Sequence, residues 1–365
     1  MKFTIAKEVF LDGLSQVVSV VSTRTTLPIL SNVMMQTEGT QLRFTATDLD
    51  VCITGIVPAT IIREGSVTLP AKRLLSIIRE LPDEEVQVDV NTNNQATVEC
   101  CRSQFKLNGL SSEEFPPLPS FDQATEFTVD QEILREGIRR TEYAISTDTT
   151  RYVLNGISLS FKEGKLILVA TDGRRLAMVE NTVEFPETQQ MDAILPTKAV
   201  TELRRILSDV GTVRIRFTHN QAAFEIGDSL LITKLIDGNY PNYRQVIPAD
   251  YKERIDIPCD ELLDTVRRVS LLSLDKSSNI KLTFSTDQLE VNSLAEGIGE
   301  AHEIIAVDYK GRQLSISFNP EFLMAPLRTM QSGTISLYLI DEMSPGVLRA
   351  DGAFLYVLMP MRSPN

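Results

Sequence analysis

A short sequence pattern recurs in this chain at an interval of about 125 residues. The segment Val67–Leu81 returns as Ala193–Leu207 with equivalent residues 126 positions apart, and the tripeptide Ala-Thr-Asp that ends at Asp48 returns at Asp172. A weaker third copy, Ile316–Met330, follows roughly one interval later. Such repeats constrain the architecture strongly, because each copy belongs to one structural unit that is used again.

The repeat predicts three similar domains. We place them at residues 1–122, 123–246 and 247–365, since a chain of 365 residues accommodates three units of about 120. The boundaries fall near Pro116–Pro119 and Pro241–Pro248, where proline disfavours regular structure. Apolar residues make up 42% of the chain, which allows each domain to bury a core of its own.

Each domain shows the same order of helical and strand-like patterns, which predicts an α+β fold. Apolar residues at helical spacing indicate two helices per domain, and alternating patterns separated by turns such as Lys162–Lys165 indicate antiparallel strands. The expected fold is therefore two helices packed on antiparallel sheets, three times over. The predicted helices are Lys7–Val18, Ala71–Leu81, Asp130–Ala144 (with Asp130 as the N-cap), Thr197–Leu207, Cys259–Leu272 and Pro320–Met330.

The formal net charge of −13 argues at first against nucleic-acid binding. The predicted helices nevertheless carry 13 Lys and Arg against 12 Asp and Glu, so the negative excess lies outside them. Lys72 and Arg79 are seven residues apart, two turns along one helix stripe, and Lys198 and Arg205 repeat that spacing. We expect these cations to face solvent, where they either complement the helix dipole or bind phosphates.

The sequence gives little sign of catalytic chemistry. It has no glycine-rich phosphate loop, and its four cysteines and two histidines show no metal-ligand spacing. Asp172 and Arg175 resemble a catalytic carboxylate beside a cation, but Asp48 at the equivalent position favours a turn-forming role. Few cysteines, no run of eighteen apolar residues and no secretory pattern predict a cytoplasmic protein without cofactor, metal or membrane segment.

A set of short segments spread over the whole chain carries a resemblance to one protein family. The segments are Met1–Thr4, Thr26–Leu30, Ala46–Asp48, Arg151–Gly156, Ala170–Leu176, Leu235–Pro241 and Tyr356–Arg362. Together they resemble the bacterial sliding clamp, the beta subunit of the replicative DNA polymerase III holoenzyme. The resemblance implies that three domains form a half ring and that two chains form a ring.

The resemblance also implies a function. A homodimeric ring would encircle duplex DNA without sequence preference and slide along it as a processivity factor with no catalytic activity. It would tether the replicative polymerase, the clamp loader and other replication and repair proteins that carry clamp-binding motifs. The residues that would lie near DNA are Arg24, Arg73, Arg79, Tyr152, Lys198 and Arg205.

Two further sites follow from the resemblance. A cleft for partner peptides between the second and third domains would be formed by Leu154, Thr171, Gly173, Arg174, Arg175, Leu176, Pro241, Val246, Asn319, Phe322, Met343, Val357, Met359, Pro360 and Met361. Apolar walls with flexible methionines suit a site for several short motifs. The dimer interface would be formed by Lys72, Arg73, Arg102, Phe105, Leu271, Leu272, Glu296, Glu300 and Glu303. Lys72 is thus assigned both to this interface and to the basic helix surface.

The sequence departs from the family pattern at several of these places. Arg174, Gln245 and Ser277 stand where histidine, arginine and an aromatic residue are common, so the peptide preference is open. Asp148 stands in a loop expected near DNA and puts that contact in doubt. Two other interpretations stay open at this point: a three-domain hydrolase or transferase that uses Asp172 and Arg175, and a scaffold that binds only peptides.

Overall fold

The helices and strands of the computed structural model follow one order that repeats three times along the chain. Each repeat runs strand, helix, four strands, helix, three strands, with one additional strand in the first repeat. The structure describes residues 1–22, 26–272, 279–295, 298–330, 333–350 and 354–361. The three-domain α+β fold predicted from the sequence repeat is confirmed.

The elements have the following bounds. The first repeat contains β1 (Lys2–Ala6), α1 (Lys7–Val18), β2 (Asn32–Glu38), β3 (Gln41–Thr47), β4 (Val51–Pro58), β5 (Thr60–Arg63), β6 (Ser66–Pro70), α2 (Ala71–Glu80), β7 (Glu85–Val90), β8 (Gln95–Cys100) and β9 (Ser103–Asn108). The second contains β10 (Thr125–Asp130), α3 (Gln131–Thr141), β11 (Gly156–Lys162), β12 (Lys165–Thr171), β13 (Arg175–Thr182), β14 (Met191–Pro196), α4 (Thr197–Ile206), β15 (Thr212–Phe217), β16 (Gln221–Ile226) and β17 (Ser229–Lys234). The third contains β18 (Glu253–Pro258), α5 (Cys259–Val269), β19 (Ile280–Ser285), β20 (Gln288–Ala295), β21 (Gly299–Ala306), β22 (Leu314–Phe318), α6 (Pro320–Leu327), β23 (Thr334–Leu339), β24 (Gly346–Arg349) and β25 (Phe354–Leu358).

All six predicted helices are present, and the differences lie at their ends. Single 3₁₀ turns, Glu142–Ala144 and Ser270–Leu272, replace the predicted last turns of α3 and α5. Helix α6 ends three residues early, and Pro326 near its end has no N–H to continue the hydrogen-bond ladder. Asp130, predicted as an N-cap, is the last residue of β10.

The described chain packs as two compact units, the first formed by Met1–Arg135 with Lys198–Leu235. This unit contains a five-stranded sheet in the order β5-β1-β7-β8-β9 and an eight-stranded sheet in the order β10-β15-β16-β17-β4-β3-β2-β6. The two halves of the larger sheet come from successive repeats and join where β4 pairs antiparallel with β17. Helix α1 packs on this sheet so closely that a Cβ on Gly13 would lie 2.6 Å from Phe44 Cε2.

The second unit is formed by Glu136–Thr197 with Ile236–Asn365. Its eight-stranded sheet has the order β14-β11-β12-β13-β25-β24-β23-β18, and its four-stranded sheet the order β21-β20-β19-β22. Strand β13 of the second repeat pairs antiparallel with β25 of the third, from Arg175 opposite Leu358 to Val179 opposite Phe354. This junction is the topological equivalent of the pairing between β4 and β17.

Among the described strands, the repeat leaves one strand with an open edge at each end of the series. In element order, β9 is the counterpart of β17 and β25, and β21 is the counterpart of β4 and β13. Among the described residues, both β9 and β21 form the outer edge of their sheets. Within the same described ranges, no helix is long and apolar enough to cross a membrane.

Candidate functional site

The same tight turn follows β3 and β12, the third strands of the first two repeats. Asp172 Oδ1 accepts backbone N–H hydrogen bonds from Arg174 and Arg175 at 2.9 and 3.0 Å, and Asp48 Oδ1 accepts the equivalent pair at 3.0 and 2.8 Å. Gly173 occupies the left-handed position of its turn, with φ of +84°. The prediction that Asp172 forms a turn is confirmed, because its carboxylate satisfies two backbone donors that the tight turn leaves unpaired.

Arg175 is held by contacts within the protein. Its Nε lies 3.0 Å from Asp172 Oδ2, it donates to the carbonyl oxygen of Tyr143, and its guanidinium lies 4.2 Å from the ring centre of Phe322. The side chains of Arg175 and Asp172 are only 13% and 17% exposed. Burial raises the pKa of Tyr143, so its phenol stays neutral beside this ion pair. Arg175 therefore stabilises the local structure and offers little of its charge to solvent.

The expected cleft residues divide into a buried floor and an exposed rim. Leu176 pairs with Val357 across β13 and β25, and both are 2% exposed members of one apolar cluster. Leu154 is 7% exposed at the end of the 3₁₀ helix Thr149–Leu154. These three residues belong to the core, and the larger apolar exposure lies at Val246 (50%), Met343 (65%) and Met359 (44%).

Backbone hydrogen bonds bring much of this set together. The N–H of Met359 donates to the Arg174 carbonyl oxygen at 3.0 Å, and the N–H of Met361 donates to Ser317 at 2.8 Å. Asn319 caps α6 through a 3.1 Å bond from the N–H of Phe322. Thr171, Gly173, Pro241 and Pro360 are each at least partly exposed.

The basic residues of α2 and of α4 differ in the contacts that they make within the chain. Lys72, Arg73 and Arg79 are exposed on α2, and none of the described carboxylates forms an ion pair with them. The equivalent cations of α4 are also partly exposed, with the side chains of Lys198 and Arg205 40% and 38% accessible, but both are engaged within the protein. Lys198 is bonded to the Asp48 carboxylate, and Arg205 lies 3.0 Å from Glu202 Oε2.

Helix α1 explains this difference. Lys198 Nζ donates to the Val20 carbonyl oxygen at 3.0 Å, and the Arg205 guanidinium donates to the Gln16 carbonyl oxygen and, at 2.9 Å, to Ser19 Oγ. The carbonyl end of a helix attracts cations, and the sequence of α4 alone does not show that α1 ends beside it. Burial raises the pKa of Asp48, but hydrogen bonds from Lys198 and from backbone N–H groups outweigh burial and leave that pKa below its usual value.

The exposed cations of α2 line a depression. Lys72 and Arg79 face it together with Ser15, Ser19 and Ser76, and its volume is about 490 Å³. The hydroxyls of Ser76 and Ser19 already donate to the Lys72 carbonyl oxygen and to Glu202, so the two exposed cations are the groups here that suit a phosphate.

The remaining residues expected near DNA lie on other segments. Tyr152 is 59% exposed, and Arg24 lies outside the described residues. Asp148 accepts bonds from the N–H and hydroxyl of Thr150, at 3.0 and 2.7 Å, and these bonds lower its pKa. Its carboxylate thereby shapes the turn that carries Tyr152.

The two edge strands carry three of the nine residues expected at the dimer interface, Phe105 on β9 and Glu300 and Glu303 on β21. Phe105 on β9 is 39% exposed and Leu271 after α5 is 73% exposed, while Leu272 is half-buried. Arg102 and Glu300 are exposed. Glu296 lies outside the described residues, and so does Ser277, one of the positions that departs from the family pattern.

Glu303 is already paired within its own chain. Its carboxylate accepts a 3.1 Å bond from Arg268 Nε, which lowers the pKa of Glu303. The sequence analysis also missed three strongly exposed apolar residues on or beside β20 and β21: Leu294 (79%), Ile298 (58%) and Ile304 (52%). The adjacent pair Ile304 and Ile305 was a usable signal, because neighbouring residues on a strand point to opposite faces.

Comparison with known proteins identifies the family. Residues 1–119, 128–242 and 244–362 match the N-terminal, central and C-terminal domains of the DNA polymerase III beta subunit. The chain belongs to the beta sliding clamp family. It is 34% identical over 362 residues to the beta sliding clamp of Chlamydia muridarum, covering 99% of each protein, and 31% identical to that of Bacillus subtilis, covering 100% of each.

Solved sliding clamps have the same fold. The Bacillus subtilis clamp superimposes with a TM-score of 0.96 at 30% identity, and the Pseudomonas aeruginosa clamp bound to griselimycin with a TM-score of 0.96 at 33% identity. Each comparison covers 100% of both chains. The sequence resemblance to the sliding clamps is therefore confirmed.

The turn at Asp172 yields a graded prediction. Asp172→Ala removes the turn acceptor and leaves the partly buried Arg175 without its carboxylate, so we expect the free energy of unfolding to fall by about 2–4 kcal/mol. Asp172→Asn keeps an oxygen for the two N–H donors, so its loss should be roughly half as large. Thermal and urea denaturation measure both changes.

Asp341 provides a matched control, since it forms the same turn with the N–H groups of Met343 and Ser344 at an exposed position. Asp341→Ala should lower the free energy of unfolding by about 1 kcal/mol. Equal losses for Asp172→Asn and Asp172→Ala would show that the turn acceptor contributes nothing at this site.

Proposed function

We propose that two copies of this DNA polymerase processivity factor close into a ring around duplex DNA and tether replication proteins to it, without catalysing a reaction. The open strands β9 and β21 carry this proposal. Successive repeats already join through β4–β17 and β13–β25 within the chain. Since β9 and β21 do not pair with each other among the described residues of one chain, a third junction of the same kind would use a β9 and a β21 from different chains, and two such junctions close a dimer.

The surfaces beside the two edges are suited to pairing. An exposed strand edge presents free N–H and C=O groups, and proteins normally cover or blunt such edges. Leu271, Leu294, Ile298 and Ile304 in the third repeat and Phe105 in the first are exposed apolar residues that a dimer would remove from water. With domains at residues 1–122, 123–246 and 247–365, the ring would contain six similar domains.

The proposed DNA contacts are sequence-independent. Exposed Lys72, Arg73 and Arg79 provide positive charge on α2 within a chain of net charge −13, and such charge binds phosphates without reading bases. Lys198 and Arg205 would add less free charge, since each is already bonded to a carboxylate of its own chain. Arg24 and Tyr152 complete the proposed DNA-facing set.

The rim of exposed Val246, Met343 and Met359 beside Arg174 is proposed to bind short motifs of the replicative polymerase, the clamp loader and other partners. Methionine side chains adapt to different apolar partners, which suits a shared site. A hydrolase or transferase that uses Asp172 is disfavoured, because Asp172 and Arg175 are engaged in the turn and its ion pair. We place the protein in the cytoplasm with its DNA.

Retention on circular DNA tests whether the protein forms a closed ring around the duplex. After loading onto a nicked circular duplex and ligation, the protein should stay bound through a wash with about 1 M salt, which screens surface charge to a length of ~3 Å. Cutting the circle should release it, as gel filtration of the DNA fraction would show. Release from the intact circle by the same wash would contradict a closed ring.

The α2 cations are tested by the salt dependence of binding. Binding to a short linear duplex is followed by fluorescence anisotropy at several salt concentrations. The negative slope of log affinity against log salt should become shallower by about 2 in the double variant Lys72→Ala/Arg79→Ala, since each lost phosphate contact changes the slope by ~0.9. Lys281→Ala, which removes an exposed cation from β19, is the control and should leave the slope unchanged. An unchanged slope in the double variant would exclude these residues from the DNA contact.

A further inference from the structure

A groove in the first unit lies at the position equivalent to the proposed peptide site of the second unit. The backbone hydrogen bonds match: the N–H of Lys234 donates to the Asp50 carbonyl oxygen at 2.9 Å, as the N–H of Met359 donates to Arg174 at 3.0 Å. The hydroxyl of Thr47 also donates to the carbonyl oxygen of Val51, as the hydroxyl of Thr171 donates to the carbonyl oxygen of Arg175.

The strand register extends this equivalence to the floor. Cys52 lies opposite Ile232 across β4 and β17, as Leu176 lies opposite Val357 across β13 and β25. Cys52 and Ile232 are 8% and 4% exposed and form one apolar cluster with Phe121 and Ala223. The floor of the groove is therefore apolar, like its counterpart.

A strained leucine stands at the mouth of the groove. Leu49 has φ of +79° where the equivalent Gly173 has +84°, and its side chain is 45% exposed. A left-handed conformation costs a residue with a Cβ roughly 1–2 kcal/mol relative to glycine. Leu118, 37% exposed in the proline-rich segment between the first two repeats, faces the same groove. Strained backbone residues cluster at active and binding sites, and contiguous exposed apolar side chains mark interaction surfaces.

The charge at the mouth is different from that of the counterpart. Asp50 replaces Arg174, and Lys234, which lies 3.0 Å from it, replaces Met359. The Asp50 side chain is 70% exposed and that of Lys234 is 54% exposed, so the carboxylate is the more accessible charge. The chain as a whole is also acidic, which favours a basic ligand.

We propose that this groove is a second peptide-docking site, which binds a short segment of a partner protein with an apolar anchor next to a basic residue. The assignment rests on the peptide-binding function proposed for the equivalent surface. The groove volume of about 240 Å³ is below the ~300–1,000 Å³ of most small-molecule sites, so one or two side chains fill it. Asp50 binds the basic residue next to the apolar anchor of the partner segment. The groove and the proposed peptide cleft therefore bind different motifs on one clamp.

Methyl NMR separates the two sites in one experiment. The full chain, labelled at Ile and Met methyl groups, is titrated with the capped tripeptides Arg-Leu-Phe and Glu-Leu-Phe. The Ile232 methyl reports the groove, and the Met343 and Met359 methyls report the proposed peptide cleft. We expect Arg-Leu-Phe to shift Ile232 in a saturable way and to bind there at least five-fold more tightly than Glu-Leu-Phe.

Two variants make the result specific. Asp50→Arg introduces the residue of the equivalent position and should reverse the preference at Ile232 in favour of Glu-Leu-Phe. Leu49→Gly restores the glycine of the equivalent turn, so it keeps the fold while weakening Arg-Leu-Phe several-fold. Met343→Ala is the matched control and should leave the Ile232 response unchanged.

The outcomes distinguish this proposal from the proposed function. Shifts at Met343 and Met359 with Ile232 unmoved would overturn the groove and leave the proposed peptide cleft intact. An Ile232 response that is the same in wild type, Asp50→Arg and Leu49→Gly would also overturn it. No response at any of these methyls would overturn the groove and count separately against the cleft.

Discussion

Antiparallel pairing between strands of successive repeats is the interaction on which the whole structure depends. The junctions β4–β17 and β13–β25 turn separate four-stranded halves into two continuous eight-stranded sheets. Each junction satisfies the backbone groups of two edges that would otherwise be open. Among the described strands, β9 and β21 are the two counterparts that lack such a junction, and the proposed dimer and ring follow from them.

The aspartate turn before each junction is the second feature that the first two repeats share. An aspartate carboxylate holds the backbone of the turn at Asp48 and at Asp172, and the strand that leaves the turn pairs with the next repeat. The surroundings of the two turns have diverged. Asp172 binds Arg175 in its own turn, whereas Asp48 binds Lys198 on α4. One backbone geometry thus supports two surfaces of different charge, which is the basis for distinguishing a cleft rimmed by Arg174 from a groove rimmed by Asp50.

The sequence predicted the fold well because the repeat and the apolar periodicity are local signals. All six helices could be placed and antiparallel strands were expected, and the differences in the helices were confined to their ends, where single turns become 3₁₀ or proline intervenes. The resemblance supplied the family, and the aligned domains and solved structures confirm it.

The sequence predicted side-chain environments less well, because these depend on distant neighbours. The spacing of Lys198 and Arg205 places both on one helix stripe, but the carbonyl groups that bind them, at the end of α1 and just beyond it, are more than 170 residues away in sequence. Glu303 looked available for a partner chain, yet Arg268 on α5 is bonded to it. The assignments to DNA, peptide and dimer surfaces remain predictions, with Leu294, Ile298 and Ile304 added to the last by their exposure.

Sedimentation equilibrium at micromolar concentration tests the central claim most directly. If β9 and β21 of two chains pair, the native protein should have twice the chain mass of 40.7 kDa. Replacing the exposed Ile304 on β21 by lysine should shift that mass towards the single chain, because it places a charge in the apolar contact. A native protein that sediments as one 40.7 kDa species would contradict the account, since neither edge strand would then have a partner.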